Sequence, residues 1–142
     1  MDHVVYVDAK AKELNKLLDT SKKIILRGAA GRKIPYGRVH DGDRLFFINN
    51  NAEGMVKASA LVISVHNSEK LTKDESEMLL EENKEKLNLS AQQYERWAGK
   101  RYLVLIEVSN VKKIEPFPID KSEFGNMDDW LPVNDINLVR NI

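Results

Sequence analysis

The chain has 142 residues, 42% hydrophobic and 31% charged, with 22 basic residues balancing 22 acidic ones. That length favours one domain with a core of its own. Zero net charge leaves no global field toward nucleic acid or membrane, so anion binding has to come from local segregation. Cysteine is absent, which excludes disulfides, thiolate metal sites and thiol nucleophiles and suits a reducing compartment.

The opening MDHVVYVDAK has neither the basic nor the apolar region of a secretory signal, and no apolar run approaches the ~18 residues of a membrane span. A cytoplasmic protein with no membrane partner is expected. Residues 3–7 read as a first strand, and Asp8 as the N-cap of a helix running to about residue 19 with Ala11, Leu14 and Leu18 on one face.

Residues 22–50 then join an apolar strand (Ile24, Ile25, Leu26), a loop with breakers at Gly28, Gly31, Pro35, Gly37 and Gly42, and a second strand over residues 45–48. Between Ser21 and Arg44 there are seven basic residues and two acidic ones, a surplus that suits an anionic ligand. The asparagine-rich stretch 49–54 turns the chain into a long strand over 55–66. Its apolar phase passes from Val56, Ala58, Ala60 and Val62 to Leu61, Ile63 and Val65, as at a bulge or barrel corner.

Thr72 with Glu75 and Ser90 with Gln93 have capping-box spacing, opening a polar helix to about residue 87 and a shorter one ending near Gly99. The strongest strand follows at 101–109, with Tyr102, Val104, Ile106 and Val108 on one face, and residues 111–117 extend the sheet. Residues 118–142, with Trp130, Leu131, Val133 and Ile136, are too apolar for a free end. Residues 118–142 are expected to pack back on the barrel, with the segment from Asn126 closing one side of a ligand cleft. This pattern argues for an α+β domain built on a small, curled mixed sheet, a barrel being the best description.

The chemical motifs are sparse. Gly28-Ala29-Ala30-Gly31-Arg32-Lys33 has neither the glycine spacing nor the Lys-Ser/Thr ending of a phosphate P-loop. His3, His40 and His66 show no metal-ligand spacing, and no metal or cofactor is implied. Trp97 and Trp130 lie beside turns, where a flat side chain can stack a base next to Arg27 or Arg101.

In this order of elements the chain resembles the PUA-like superfamily, and within it the ASCH and EVE type domains. The likeness covers residues 3–117. It rests on the β-α-β start, the Gly42-Asp43 turn into strand 45–48, the helical insertion, and Trp97-Ala98-Gly99-Lys100-Arg101-Tyr102 before the last strands. Of the ASCH pattern G-x-K-x-x-E-x-R, Lys22 and Arg27 match, whereas Thr20 and Ile25 stand where glycine and glutamate would. The resemblance implies a pseudobarrel whose cleft beside the first helix takes RNA or a modified nucleobase. On that reading Lys22, Arg27, Arg32, Lys33 and Arg101 contact phosphate or base, and Trp97 or Trp130 offers a stacking face. Some ASCH members are instead amidohydrolases that act on an acylated nucleoside through a Lys, a Thr three residues later and a distant Glu. The alternative reading here is therefore a small amidohydrolase using Lys22 as base, with Glu53 or Glu107 and a water. Ile25 in the threonine position has no hydroxyl to take part.

Overall fold

In the computed structural model, which describes residues 1–120 and 129–140, the β-branched and aromatic runs form six strands. They are β1 (Asp2–Val7), β2 (Ile24–Ala29), β3 (Arg44–Asn49), β4 (Met55–Asn67), β5 (Tyr102–Pro118) and β6 (Trp130–Asn134). One mixed sheet holds them in the order β2-β5-β4-β3-β1-β6. The β1–β3 pair is parallel and every other neighbouring pair antiparallel. The sheet curls into a half-barrel, and three register shifts between β4 and β5 supply bends along its longest pair. An α+β PUA-like pseudobarrel is the resulting fold.

Alternation sorts the side chains into three cores. Val5, Val7, Phe47, Ala60, Ile25, Val104, Ile106 and Val108 fill one face of the sheet together with Leu14 and Leu17 of helix α1 (Glu13–Leu18). On the opposite face, Val4, Phe46 and Ile48 pack against Leu131, Val133, Ile136 and Val139. Ile24, Leu26, Leu103 and Leu105 meet the helical insertion through Leu80, Leu87 and Trp97. β5 is thus buried on both faces over its first half, which the reading of a single apolar face on that strand did not capture.

Both capping boxes form, at Thr72 for α2 (Lys73–Glu82) and at Ser90 for α4 (Ala91–Trp97). The insertion does not run unbroken to residue 87. Asn83 turns its side-chain amide back to the Leu79 carbonyl at 2.9 Å, and a separate short helix α3 (Lys84–Leu87) follows. Asp8 does not cap α1 either. Its carboxylate accepts from the Ala11 N–H at 3.0 Å, closing a turn, and the helix begins at Glu13 after Lys12 adopts a left-handed φ of 54°.

Leu61 and Ile63 stay outside, 38% and 45% exposed. The bulge after Val62 brings only Val65 part of the way to the core. β6 pairs antiparallel with β1, and Trp130, Leu131, Val133, Ile136 and Val139 are buried. The parts of the tail expectation that fall on residues 121–128 and 141–142 lie outside the described residues. Among the described residues no helix is long and apolar enough to cross a membrane.

Candidate functional site: a basic cleft at the end of β2

β2 ends at Arg27, Gly28 and Ala29, where the chain leaves the sheet for the loop leading to β3. The close of α4, the start of β5 and Asp129 ahead of β6 come to the same place. Together they enclose a cleft of about 440 Å³ into which Arg27, Lys33, Arg96 and Lys100 bring four cations and Asp129 one carboxylate. Tyr36, Trp97 and Tyr102 supply its aromatic walls.

Close packing forms the back wall. A Cβ on Gly28 would stand 2.8 Å from Leu103 Cδ2 and 3.3 Å from the Trp97 ring, so only glycine lets β2 approach α4 this closely. Trp97 is 8% exposed, and the Arg96 guanidinium lies 4.4 Å from its ring centroid. The indole is therefore a wall already topped by a cation rather than an open stacking platform.

Arg27 forms the floor and is 7% exposed. Its Nη1 donates to the Leu26 carbonyl at 2.8 Å and its Nη2 to the Tyr6 carbonyl at 2.7 Å. Nε lies 3.3 Å from Asp129 Oδ2 as an ion pair but makes no hydrogen bond. The guanidinium stands 5.6 Å from the Trp130 ring centroid. β1 and β2 are not neighbours in the sheet, so this side chain bridges the seam between them.

The remaining candidate residues are distributed differently. Lys33 lines the cleft. Arg32 is not one of the lining residues; its guanidinium stands 5.6 Å from the Tyr36 ring centroid and 5.7 Å from that of Tyr102. Arg101 is exposed and absent from the lining. Trp130 offers no stacking face: it is fully buried, with its Nε1–H donating to His3 Nδ1 at 3.1 Å.

Lys22 also lies away from the cleft, 1% exposed. Its ammonium donates to the Leu87 carbonyl at 2.5 Å and lies 3.5 Å from Glu13 Oε2. Burial pushes its pKa down to about 8, with Glu13 pulling the other way. The carboxylates proposed for hydrolysis are occupied elsewhere, Glu53 with Lys57 at 2.8 Å and Glu107 with Lys86 at 3.0 Å; the carboxylate at Lys22 is Glu13.

The first helix does not border the main cleft. It reaches a small adjoining recess of about 40 Å³ through Glu13, and that recess shares Arg27, Arg96, Trp97 and Asp129 with the cleft. Arg96 and Lys100 carried a local signal, two cations beside a tryptophan at a helix end. Asp129 carried none, since an acid in a polar segment looks solvated until the fold places it. Among the described residues no group of three His, Asp or Glu side chains is arranged to hold a metal ion.

No protein-family model matches the chain, and no curated protein matches it. Solved structures do. The ASCH protein of Zymomonas mobilis superposes with a TM-score of 0.63 at 16% identity over 90% of this chain and 82% of that one. Two single-residue mutants of the same protein give TM-scores of 0.64 and 0.68 at 16% and 15% identity, covering 90% and 97% of this chain and 84% and 96% of theirs. At such identity the likeness is one of fold: the chain shares the curled mixed-sheet fold of these ASCH structures.

Proposed function

We propose that the cleft binds RNA or a modified nucleoside, taking one nucleotide between its aromatic walls. The observation that carries this is the convergence of Lys33, Arg96 and Lys100 on a recess walled by Tyr36, Trp97 and Tyr102. Cations around a recess with tyrosine walls suit a ligand with a planar base and an anionic backbone. The ASCH-type fold supports the same reading. Titration of short single-stranded RNA at low and moderate salt tests it. Binding should weaken with salt, and Lys33→Ala, Arg96→Ala and Lys100→Ala together should flatten the salt slope by about 0.7 for each phosphate that these cations neutralise. No binding at low salt, or a triple variant that binds like the parent, overturns the proposal.

A second reading is amide hydrolysis on an acylated nucleoside, favoured by one observation. Lys22, with its lowered pKa of about 8, faces Glu13, which borders the recess adjoining the cleft. Incubation with acylated nucleosides decides it: turnover lost in Lys22→Ala supports hydrolysis, and no turnover by the parent protein rejects it.

A further inference from the structure

Arg32, a candidate cation on this loop, lies beside aromatic rings and is not one of the cleft-lining residues. Its guanidinium lies almost equally far from two ring centroids, 5.6 Å from Tyr36 and 5.7 Å from Tyr102. The two rings meet edge to face, with centroids 5.7 Å apart and planes at 87°. The Tyr36 hydroxyl donates to the Ser68 carbonyl and fixes that ring against the end of β4. Both tyrosines also line the cleft, whereas Arg32, which meets both rings, is solvent-exposed and is not one of the lining residues. Lys33, the next residue in the loop, lies on the cleft side.

We infer that the Tyr36–Tyr102 pair divides two base subsites, one in the cleft and one at Arg32, and that the ligand is a single-stranded oligonucleotide of at least two nucleotides. This rests on the nucleotide-binding reading of the cleft. One base enters the cleft, its neighbour stacks on the Arg32 guanidinium over the tyrosines, and the phosphate linking them passes Lys33. A guanidinium already held beside two aromatic rings and exposed to solvent can offer a face to a base, and part of the ordering cost of the arginine side chain is met before the ligand arrives. Stacking of this kind tolerates any base, because every base has a π face. The second subsite therefore adds affinity and leaves base choice to the cleft.

The test compares ligands that differ only in the second nucleoside. Calorimetric titration of the full chain uses the four ribonucleoside 3′,5′-bisphosphates and the matching 5′-phosphorylated dinucleotides. The dinucleotides should bind about tenfold more tightly. Arg32→Ala should erase that gap while leaving the bisphosphates unchanged, and Arg32→Lys should not restore it, since an ammonium keeps the charge and loses the plane. Equal binding of the two ligand sets, or full rescue by Arg32→Lys, overturns the second subsite and leaves the cleft reading standing. If neither set binds, both fall.

Discussion

The indole N–H of Trp130 donates to Nδ1 of His3 at 3.1 Å, and Nε2 of the same imidazole lies 2.8 Å from Asp43 Oδ2. An indole nitrogen only donates, so Nδ1 is the acceptor and the single ring proton sits on Nε2. His3 is thereby held neutral in the core.

Acid should destabilise the fold through this ring. Burial lowers the pKa of His3 below its ordinary 6.5, against the pull of Asp43 and Asp2. The unfolded chain therefore takes up the proton first as pH falls, and stability is lost from about pH 6.5 downward. A second proton on the ring would also point N–H at N–H toward Trp130. Melting temperatures measured between pH 7.5 and 5.5 should fall for the parent protein. His3→Gln should be less stable at pH 7.5 and show a shallower fall; parallel slopes would show that His3 is not the titrating group.

The buried Lys22–Glu13 pair makes two statements. Lys22→Met leaves Glu13 charged in a 4% exposed position and should cost about 3 kcal/mol, of which Lys22→Met with Glu13→Gln recovers most. Folded Lys22 releases its proton near pH 8, whereas its ordinary value is 10.5. Between those values the unfolded state binds more protons, so parent stability rises with pH, and Lys22→Met lacks that rise. Denaturant titrations at pH 7.5 and 9.5 check both.

Gly28→Ala should disturb the cleft from behind. The new methyl meets Leu103 Cδ2 at 2.8 Å and the Trp97 ring and Lys100 Cβ at 3.3 Å each, an overpacking that costs about 1–3 kcal/mol. Because Trp97 must move, its fluorescence should change along with the melting temperature. A variant as stable as the parent, with unchanged emission, would mean that α4 yields freely at this point.

Arg27→Lys retains the charge but cannot reach two carbonyls 20 positions apart in sequence, those of Tyr6 and Leu26. One of these two charge-assisted hydrogen bonds is lost, and the loss should be about 2 kcal/mol. Chemical denaturation measures it, and a lysine variant of parental stability would remove Arg27 from the seam.

Much of the fold was legible because its signals are local. Alternation marked the strands, and Thr72-x-x-Glu75 and Ser90-x-x-Gln93 announced two helix starts that the structure forms with both reciprocal hydrogen bonds. Asp8 misled because an Asp before an apolar run can close a turn as readily as cap a helix. The cleft was less legible, since its members come from β2, α4, β5 and the segment before β6 and share no spacing. Trp130 shows the limit best. In the sequence it reads both as a packing residue of the tail and as a stacking face, and the pairing of β6 with β1 and the Nδ1 acceptor of His3 decide for core.

The seam between β1 and β2 has a consequence for how such a cleft can be re-tuned. Arg27 fastens two strands and floors the cleft with one guanidinium, so a change that adapts it to a new ligand also loosens the clasp. Arg96 and Lys100 line the same cleft from the close of α4 and the turn after it, away from that clasp. Selection or engineering toward a different ligand is left to work at the rim, around a floor that the architecture holds constant.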